Sequence, residues 1–337
     1  MTVIQPNAPR PDIPRLTIVT PVHNEAAGLP AYERAVTATL IERDDIDVRV
    51  LLVDDGSDDD SWRLIQDVCA RSPRFRGLRL SRNFGPHVAI SAGVDHADGD
   101  AVAILACDLQ DPPETVLDFV AAWRQGADIV WGKRRTRQDK PWRIWLSEAF
   151  SRAIRRWAMP KGSKFTTGSF LLMDRAVADC FRRFRDHGRV TFALVAWTGF
   201  EQSVVSYDRR ARVTGASGWS LGRLMRAAYD TFICFSDAPA RVITILGMTV
   251  FLFSVVFTIY LVATWWFTHV APGWTGIMVA ITSLFGLLFM MVGVIAEYLQ
   301  RIFIEATNRP LYFISRDTRP DDPAPAAGAA PSRTSAP

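Results

Sequence analysis

"DAVAILACDLQDPPE", Asp100 to Glu114, is the stretch on which the fold of this chain turns. Its first half is an almost unbroken apolar run. It then stops in two aspartates around Gln110, followed at once by Pro112 and Pro113. A short apolar run that ends in turn residues reads as a strand buried on both faces. Pro112 suits the first turn of a following helix, where its missing N–H would be unpaired anyway. The same cadence recurs along the chain. "RLTIVTPV", "VRVLLVDDGS", "FRGLRLSRN" and "ADIVWGK" read as strands, and "EQSVVSYDRR" alternates as a strand does. Helices are predicted over 26–41, 58–70, 86–96 and 112–125, with "SDDDSW" supplying an N-cap and early acids for the second. Strand and helix in alternation predict the α/β class, a doubly wound sheet.

In such sheets ligands sit beyond the carboxyl ends of the strands. Those ends read "PVHNE" (Pro21 to Glu25), "DDGSDD" (Asp54 to Asp59), "SRNFG" (Ser81 to Gly85) and "CDLQD" (Cys107 to Asp111). All are polar, and most carry carboxylates, so one rim of the sheet describes a site. Neither G-x-G-x-x-G nor G-x-x-x-x-G-K-[ST] follows a strand, which argues against a dinucleotide-binding dehydrogenase and a P-loop enzyme. Acids with a divalent cation are the other way to handle phosphates, and hard oxygen ligands suit Mg2+ or Mn2+. One detail runs against a strong metal site. Two residues before Asp108 stands Ala106, where a further oxygen ligand would be expected. "DDGS" also makes a turn by itself, so Asp54 and Asp55 have a purely structural alternative.

The net charge is only +4, but charge is unevenly spread, and Val242 to Ala296 contains no Asp, Glu, Lys or Arg. Two apolar spans, Arg241 to Phe267 and Gly273 to Glu297, are each long enough to cross about 30 Å of hydrocarbon. The link "THVAPGW" predicts a tight hairpin, with Trp265, Trp266 and Trp274 at the far interface. Arg223, Arg226 and Arg241 precede the pair, and Arg301, Arg309 and Arg316 follow it. By the positive-inside rule both ends face the cytoplasm. The expectation is a multi-pass protein of the bacterial inner membrane, with its catalytic domain and both termini cytoplasmic. Two helices leave no room for a pore. A plain anchor and a device that positions a lipid substrate remain as alternatives.

The predicted organisation is a disordered 1–14, a cytoplasmic domain over 15–218, and a juxtamembrane amphipathic helix over 219–239. A two-helix hairpin over 240–300, a cytoplasmic segment over 301–317 and a disordered tail over 318–337 complete it. "RIWLSEAFSRAIRRWAM" (Arg143 to Met159) is an amphipathic helix, either packed or lying on the membrane surface. The basic runs "GKRRTRQDK" and "DRRAR" are solvated faces or anion sites. Beside a membrane, anionic lipid is the nearer partner and no nucleic acid is expected. Cys69, Cys107, Cys180 and Cys234 fit neither a zinc pattern nor a disulfide framework. The polar, proline-rich N-terminus is not a signal peptide.

"PVHNE", "VDDGSDD", "SRNFG", "DLQDPPE", "RRARVTGASGW", "FSDAP" and "AEYLQRIFIEATNRPLY" occur in this order. Together they resemble the polyprenyl-phosphate glycosyltransferases, a branch of glycosyltransferase family two, over about residues 14 to 315. The resemblance implies a GT-A-like fold, followed by interfacial amphipathic helices and two transmembrane helices. It implies inverting transfer of one sugar from a nucleotide-sugar donor to a polyprenyl phosphate, for cell-envelope glycan modification. On that basis Pro21, Asn24, Glu25, Asp54, Asp55, Asn83 and Gly85 would line the nucleotide pocket. Asp108, with Gln110 beside it, would hold Mg2+ or Mn2+. Arg134, Arg212 and Ser217 would meet the lipid phosphate, so that Asp108, Arg134 and Arg212 form the catalytic set. Asp111 would support the metal ligands or cap the helix at Pro112. A flippase and a downstream glycosyltransferase would use the product, and the helices offer a surface for a homo-oligomer.

Two departures stand out: Ala106 where the family has the first Asp of D-x-D, and Ser169 where it has a proposed base. They keep a catalytically silent scaffold or nucleotide-sugar sensor as an alternative. A processive polysaccharide synthase fits worse, since "IRRWAM" lacks the glutamine of Q-x-x-R-W and two helices are too few.

Overall fold

The computed structural model describes residues 10–135, 170–184, 186, 191–210, 249, 252, 253, 256, 259, 260, 263 and 274–319, the last with only part of its side chains. The chain divides into two units, Met1–Ala228 together with Pro310–Pro337, and Tyr229–Arg309.

The first unit is built on one sheet. Its strands are β1 (Arg15–Val22), β2 (Asp47–Asp54), β3 (Phe75–Leu80), β4 (Ala101–Ile104), β5 (Ile129–Arg134), β6 (Leu171–Asp174), β7 (Gln202–Tyr207) and β8 (Ile314–Asp317). They lie in the order β7-β5-β6-β4-β1-β2-β3-β8. β1 pairs in parallel with β2 and β4, β2 with β3, and β5 with β7. β6 runs antiparallel between β4 and β5, and β8 antiparallel along β3. The helices are α1 (Leu29–Val36, running on as a π turn, Thr37–Ile41), α2 (Ser61–Arg71), α3 (Pro86–Asp95), α4 (Thr115–Arg124), α5 (Arg175–Phe181) and α6 (Thr191–Trp197). The α/β class read from the sequence is the class observed.

β1 and β4 are buried almost throughout because they lie inside the sheet and helices cover both faces. Leu16, Ile18, Val48, Val50 and Leu52 join Trp62 and Ile65 of α2 and Phe119 and Trp123 of α4 in one apolar cluster. On the other face α3 packs on β1 and β2.

Several sequence expectations change. Pro112 is not in the first turn of α4. It lies in a tight turn ahead of it, where Thr115 N–H donates to the Pro112 carbonyl and Val116 N–H to that of Pro113. A residue before proline is biased out of the α region, so Pro112, standing before Pro113, is disfavoured as the first residue of a helix. Within "SDDDSW" the N-cap residue, Asp60, makes no capping bond through its side chain. Asp59 instead accepts from Ser61 N–H at 3.0 Å and from Ala26 N–H at 3.1 Å. The N-terminal segment read as disordered is placed from residue 10 on. The Arg10 guanidinium lies 4.7 Å from the centre of the Trp123 ring and donates to the Ala127 carbonyl at 3.0 Å. The predicted helices at Arg143–Met159 and 219–239, and the hairpin link up to residue 273, lie outside the described residues.

β8 is a strand that the sequence reading left inside an undivided segment, 301–317. The chain leaves the helical unit and returns to close the β3 edge. Ser81 N–H donates to the Phe313 carbonyl at 2.9 Å, Gly77 N–H to Thr318 Oγ1 at 2.9 Å, and Thr318 N–H back to Gly77 at 3.0 Å. Arg76 grips Asp317 through both carboxylate oxygens, at 3.2 and 2.7 Å. Tyr312 Oη donates to Asp95 at 2.9 Å, which ties the same strap to the end of α3. An unsatisfied sheet edge is thereby paired. Asp317→Asn should cost about 1–3 kcal/mol in chemical denaturation, because the pair is mostly buried and one partner is left charged. It should also open the strap to limited proteolysis before the rest of the sheet.

In the second unit, α7 (Trp274–Thr307) is a continuous helix of 34 residues. Counting only described residues, no helix is long and apolar enough to cross a membrane. The backbone of α7 nevertheless runs unbroken, and its sequence from Trp274 to Ala296 carries no charge. The described residues from 249 to 263 are helical too, with Leu252, Phe253, Val256 and Ile259 exposed.

Candidate active site

The carboxyl ends of β1, β2 and β3 are stitched to one another by their own polar groups. Asn24 takes a left-handed conformation, with φ of 54°. From there its N–H donates to Ser57 Oγ at 3.0 Å and its Oδ1 accepts from Asp58 N–H at 2.9 Å. Glu25 N–H donates to Ser61 Oγ at 3.0 Å. Gly56 turns the chain after β2 with φ of 64°, and a Cβ there would meet the Arg82 carbonyl carbon at 2.5 Å. Glycine alone satisfies both demands.

The two aspartates at the end of β2 hold this rim together. Asp54 has no exposed surface. Its Oδ1 accepts from Ser57 N–H at 3.1 Å, and its Oδ2 faces Arg79 Nε at 3.1 Å as a charge pair rather than an aligned hydrogen bond. Arg79 also donates to the Ser57 carbonyl at 2.9 Å. Asp55 is 3% exposed and accepts from Phe84 N–H at 2.7 Å and Gly85 N–H at 2.8 Å. Burial pushes its carboxyl above the ordinary range, opposed by those two N–H groups. The family resemblance would have both aspartates line the nucleotide pocket. In this geometry Asp54 shapes the turn and Asp55 clamps the loop that carries Asn83 and Gly85.

That loop meets β1 through His23, which the sequence reading passed over. His23 Nδ1 lies 3.0 Å from the Asp55 carbonyl and Nε2 lies 2.9 Å from Asn83 Nδ2. A carbonyl only accepts, so the proton belongs on Nδ1 and Nε2 accepts from the Asn83 amide. Pro21, Asn24, Glu25, Asn83 and Gly85 are therefore brought to one rim. Asn83, Asn24 and His23 are exposed there, and Arg82 stacks on Phe84 at 4.1 Å beside them.

Asp108 and Gln110 stand at the end of β4, both half-buried, and Asp108 Oδ1 accepts from Gln110 N–H at 3.2 Å. Leu109 between them has φ of 54°. Cys107 is buried, and burial, then the charges of Glu25 and Asp108, push its thiol well above the ordinary range. It stays a neutral thiol with the two carboxylates in electrostatic reach. Among the described residues no three of His, Cys, Asp and Glu gather as a metal cluster. A hard divalent cation would fit here with Asp108 and the side-chain amide oxygen of Gln110 supplying oxygens, and substrate and water supplying the rest. Magnesium tolerates that arrangement.

The third part of the rim joins β5 and β7. Tyr207 and Arg134 are cross-strand partners. Tyr207 Oη donates to buried Asp111 Oδ1 at 2.5 Å, and Arg209 Nε lies 3.8 Å from the same oxygen. Arg210 N–H donates to the Gln110 carbonyl at 2.9 Å and its guanidinium to Glu114 at 3.3 Å. Asp111 thus neither caps α4 nor faces solvent; it is the anchor of this corner. Arg134 Nε is buried with no hydrogen-bond partner among the described residues. Tyr207 was missed because one aromatic at the end of an alternating strand signals only burial. Arg212, Ser217 and Ser169 lie outside the described residues.

The profile of the family described as Glycosyl transferase family 2 matches residues 17–182. An uncharacterised glycosyltransferase of Synechocystis, sll0501, is 36% identical over 302 residues, 89% of this chain and 94% of that protein. The chain belongs to glycosyltransferase family 2. The SfII prophage-derived bactoprenol glucosyl transferase of Shigella flexneri is 32% identical over 307 residues, 90% of this chain and 99% of its own. These likenesses run far past residue 182, so they take in the helical unit as well as the sheet. Among solved structures, a mannosyltransferase of Pyrobaculum calidifontis in complex with GDP-Man and Mn2+ covers 89% of each chain at 16% identity and a TM-score of 0.46, too distant to speak for substrate or metal. The family and the sheet topology agree on a GT-A-like fold, and the protein is a glycosyltransferase enzyme.

The transferase carries one titratable group placed to report on this rim. His87 sits two residues beyond Gly85 in the first turn of α3, with its ring edge-on to Phe192 at 5.5 Å. Its buried Nδ1 has no hydrogen-bond partner among the described residues, and burial lowers its pKa to about 4. A depressed folded-state pKa contributes stability that is complete above the ordinary value of about 6.5 and is lost as pH falls toward 4. Between pH 7 and 4 the wild type should lose up to about 3 kcal/mol more than His87→Gln. Denaturation midpoints of both proteins across that range read the difference.

Proposed function

We propose that the transferase moves a single sugar from a UDP- or GDP-hexose to a polyprenyl phosphate, undecaprenyl or decaprenyl, with inversion and with Mg2+ or Mn2+. One observation carries this reading. The rim presents a half-buried hard carboxylate, Asp108, and an arginine, Arg134, whose buried Nε–H meets no acceptor among the described residues. A donor diphosphate held through a cation suits the first, and a phosphate oxygen suits the second. The whole-length likeness to bactoprenol glucosyl transferases supports the lipid acceptor.

In the reaction an acceptor phosphate oxygen forms a bond to the anomeric carbon while that carbon's bond to the diphosphate oxygen breaks. The nucleoside diphosphate leaves with the electron pair. A phosphate monoester has its second pKa near roughly 6, so the attacking oxygen is already ionised and needs no base. A serine at position 169 is then no obstacle. Asp108 and Gln110 would hold the cation, which when bound neutralises charge on the departing diphosphate. The clamp made by Asp55, Asn83 and His23 orients the donor side. Arg134 and, by family resemblance, Arg212 and Ser217 orient the acceptor phosphate. The gain comes from positioning and fixed charge.

The reading places the site at the cytoplasmic leaflet of a bacterial inner membrane. The uncharged stretch of α7 and the exposed apolar side chains between 249 and 263 support two spans, since such surface is favourable only in lipid. Lys- and Arg-free spans flanked by arginines support the orientation. A flippase and a second transferase would consume the product outside.

Purified full-length protein in nanodiscs, given labelled UDP- and GDP-sugars, undecaprenyl phosphate and either cation, tests this directly. A labelled lipid that disappears with chelator is the expected result. Ala106 favours the rival reading of a silent nucleotide-sugar sensor, for which nucleotide would bind and no donor would be turned over.

A further inference from the structure

Tyr207 is not a surface aromatic that happens to touch a carboxylate. Its ring is held on several sides. Phe170 meets it edge-on at 5.3 Å, and Phe170 in turn packs tilted against Phe119 at 4.5 Å. Gly132 opens the space they occupy: a Cβ there would lie 2.9 Å from Tyr207 Cε1, 3.1 Å from Phe119 and 3.1 Å from Phe170. The ring therefore has one position, and the hydroxyl points at Asp111. Burial first, then the Asp111 charge and the hydrogen bond to it, push the phenol well above its ordinary range, so it remains a donor. A phenol that donates one bond still has lone pairs to accept others. Arg134 is its register partner across the β5–β7 ladder, so the two side chains leave the sheet on the same face.

We propose that Tyr207 is a positioning residue for Arg134: it accepts from the guanidinium and donates to Asp111, and so holds Arg134 aimed at the acceptor phosphate instead of collapsed on Asp111. Asp111 is 2% exposed, and its charge would otherwise draw the nearest free guanidinium. Arg209 at 3.8 Å supplies part of the neutralisation, and the tyrosine hydroxyl supplies the short, directed contact. The relay deepens the proposed function and rests on it for the identity of the phosphate.

Tyr207→Phe removes one oxygen and keeps the ring that the aromatic cluster packs against. Its melting temperature should move little. Binding of a short-chain polyprenyl phosphate, measured by calorimetry on the full chain in detergent, should weaken roughly tenfold, the order expected for one hydrogen bond to a charged group. In the transfer assay KM for the acceptor should rise by a similar factor, while KM for the nucleotide sugar stays within about twofold. The decisive arm is Tyr207→Phe with Asp111→Asn. Removing the charge that captures Arg134 should recover part of the lost acceptor affinity, which a merely structural tyrosine would not allow. The proposal is overturned if Tyr207→Phe binds the phosphate as the wild type does, if donor and acceptor weaken equally, or if the double variant is no better than the single. Wild-type protein that binds the phosphate but transfers no sugar would sink the transferase reading and leave the relay to be judged on binding alone. Wild-type protein that does not bind the phosphate sinks the relay as well.

Discussion

Asp108→Ala should lower sugar transfer by about 10^3-fold, with no change in the amount of folded protein. The magnitude is that of removing one preorganised electrostatic contact to a transition state, here made through the cation that Asp108 would hold. The insensitivity of the fold follows from position. Asp108 is half-buried at an open strand end, where its carboxylate accepts from the N–H of Gln110, two residues on. Ala106 raises the stakes, because no neighbouring carboxylate two residues away shares the load. Asp108→Asn keeps the shape and an oxygen but not the charge, and should fall between. Turnover of Asp108→Ala close to wild type would show that the metal assignment is wrong. Measuring kcat over a titration of Mn2+ separates lost cation affinity, which high concentration repairs, from a lost electrostatic role, which it does not.

Asp55→Ala should have the largest effect on the fold of the site. Two backbone N–H groups, of Phe84 and Gly85, lose a charged acceptor at 2.7 and 2.8 Å, and a nearly closed cavity opens beside them. Bonds to a charged acceptor contribute about 1.5–3 kcal/mol each, and the relief of burying the Asp55 charge offsets part of that. A net loss of about 2–4 kcal/mol is expected, read as a denaturation midpoint. The donor should feel it more than the acceptor, since the loop from Ser81 to Gly85 is what Asp55 clamps. KM for the nucleotide sugar should rise by about tenfold or more. Asp55→Asn is no rescue, because its amide NH2 must face one of the two N–H donors. An Asp55→Asn protein with wild-type stability and donor KM would remove the clamp from the account.

Much of the fold was legible in the linear chain. β1, β2 and β4 are apolar runs because a parallel strand inside a covered sheet is buried on both faces, and that leaves a local signature. The charge-free stretch before Glu297 is legible for the same kind of reason. Candidate site residues could be collected because strand ends mark the rim of a doubly wound sheet. What each one does was not legible. Asp54 and Asp55 are adjacent and chemically identical, yet one pairs with Arg79 and the other with the N–H groups of residues 84 and 85. Nothing within a few residues of either distinguishes them.

By itself, the sequence determined the α/β class and the split between a charged stretch and an apolar one, and it picked out the strand-end rim and Asp108 as the candidate site. Periodicity, composition and chain punctuation are local properties, and local properties survive in a linear reading. Only the tertiary structure decided that Ile314–Asp317 closes the β3 edge, that Leu171–Asp174 runs antiparallel between β4 and β5, and that Tyr207 meets Asp111. Each of these joins groups far apart in the chain, 96 residues for Tyr207 and Asp111 and 241 for Arg76 and Asp317. A strand of four residues has too little pattern of its own to announce a partner. Its pairing is set by which edge is left open once the rest of the sheet has formed.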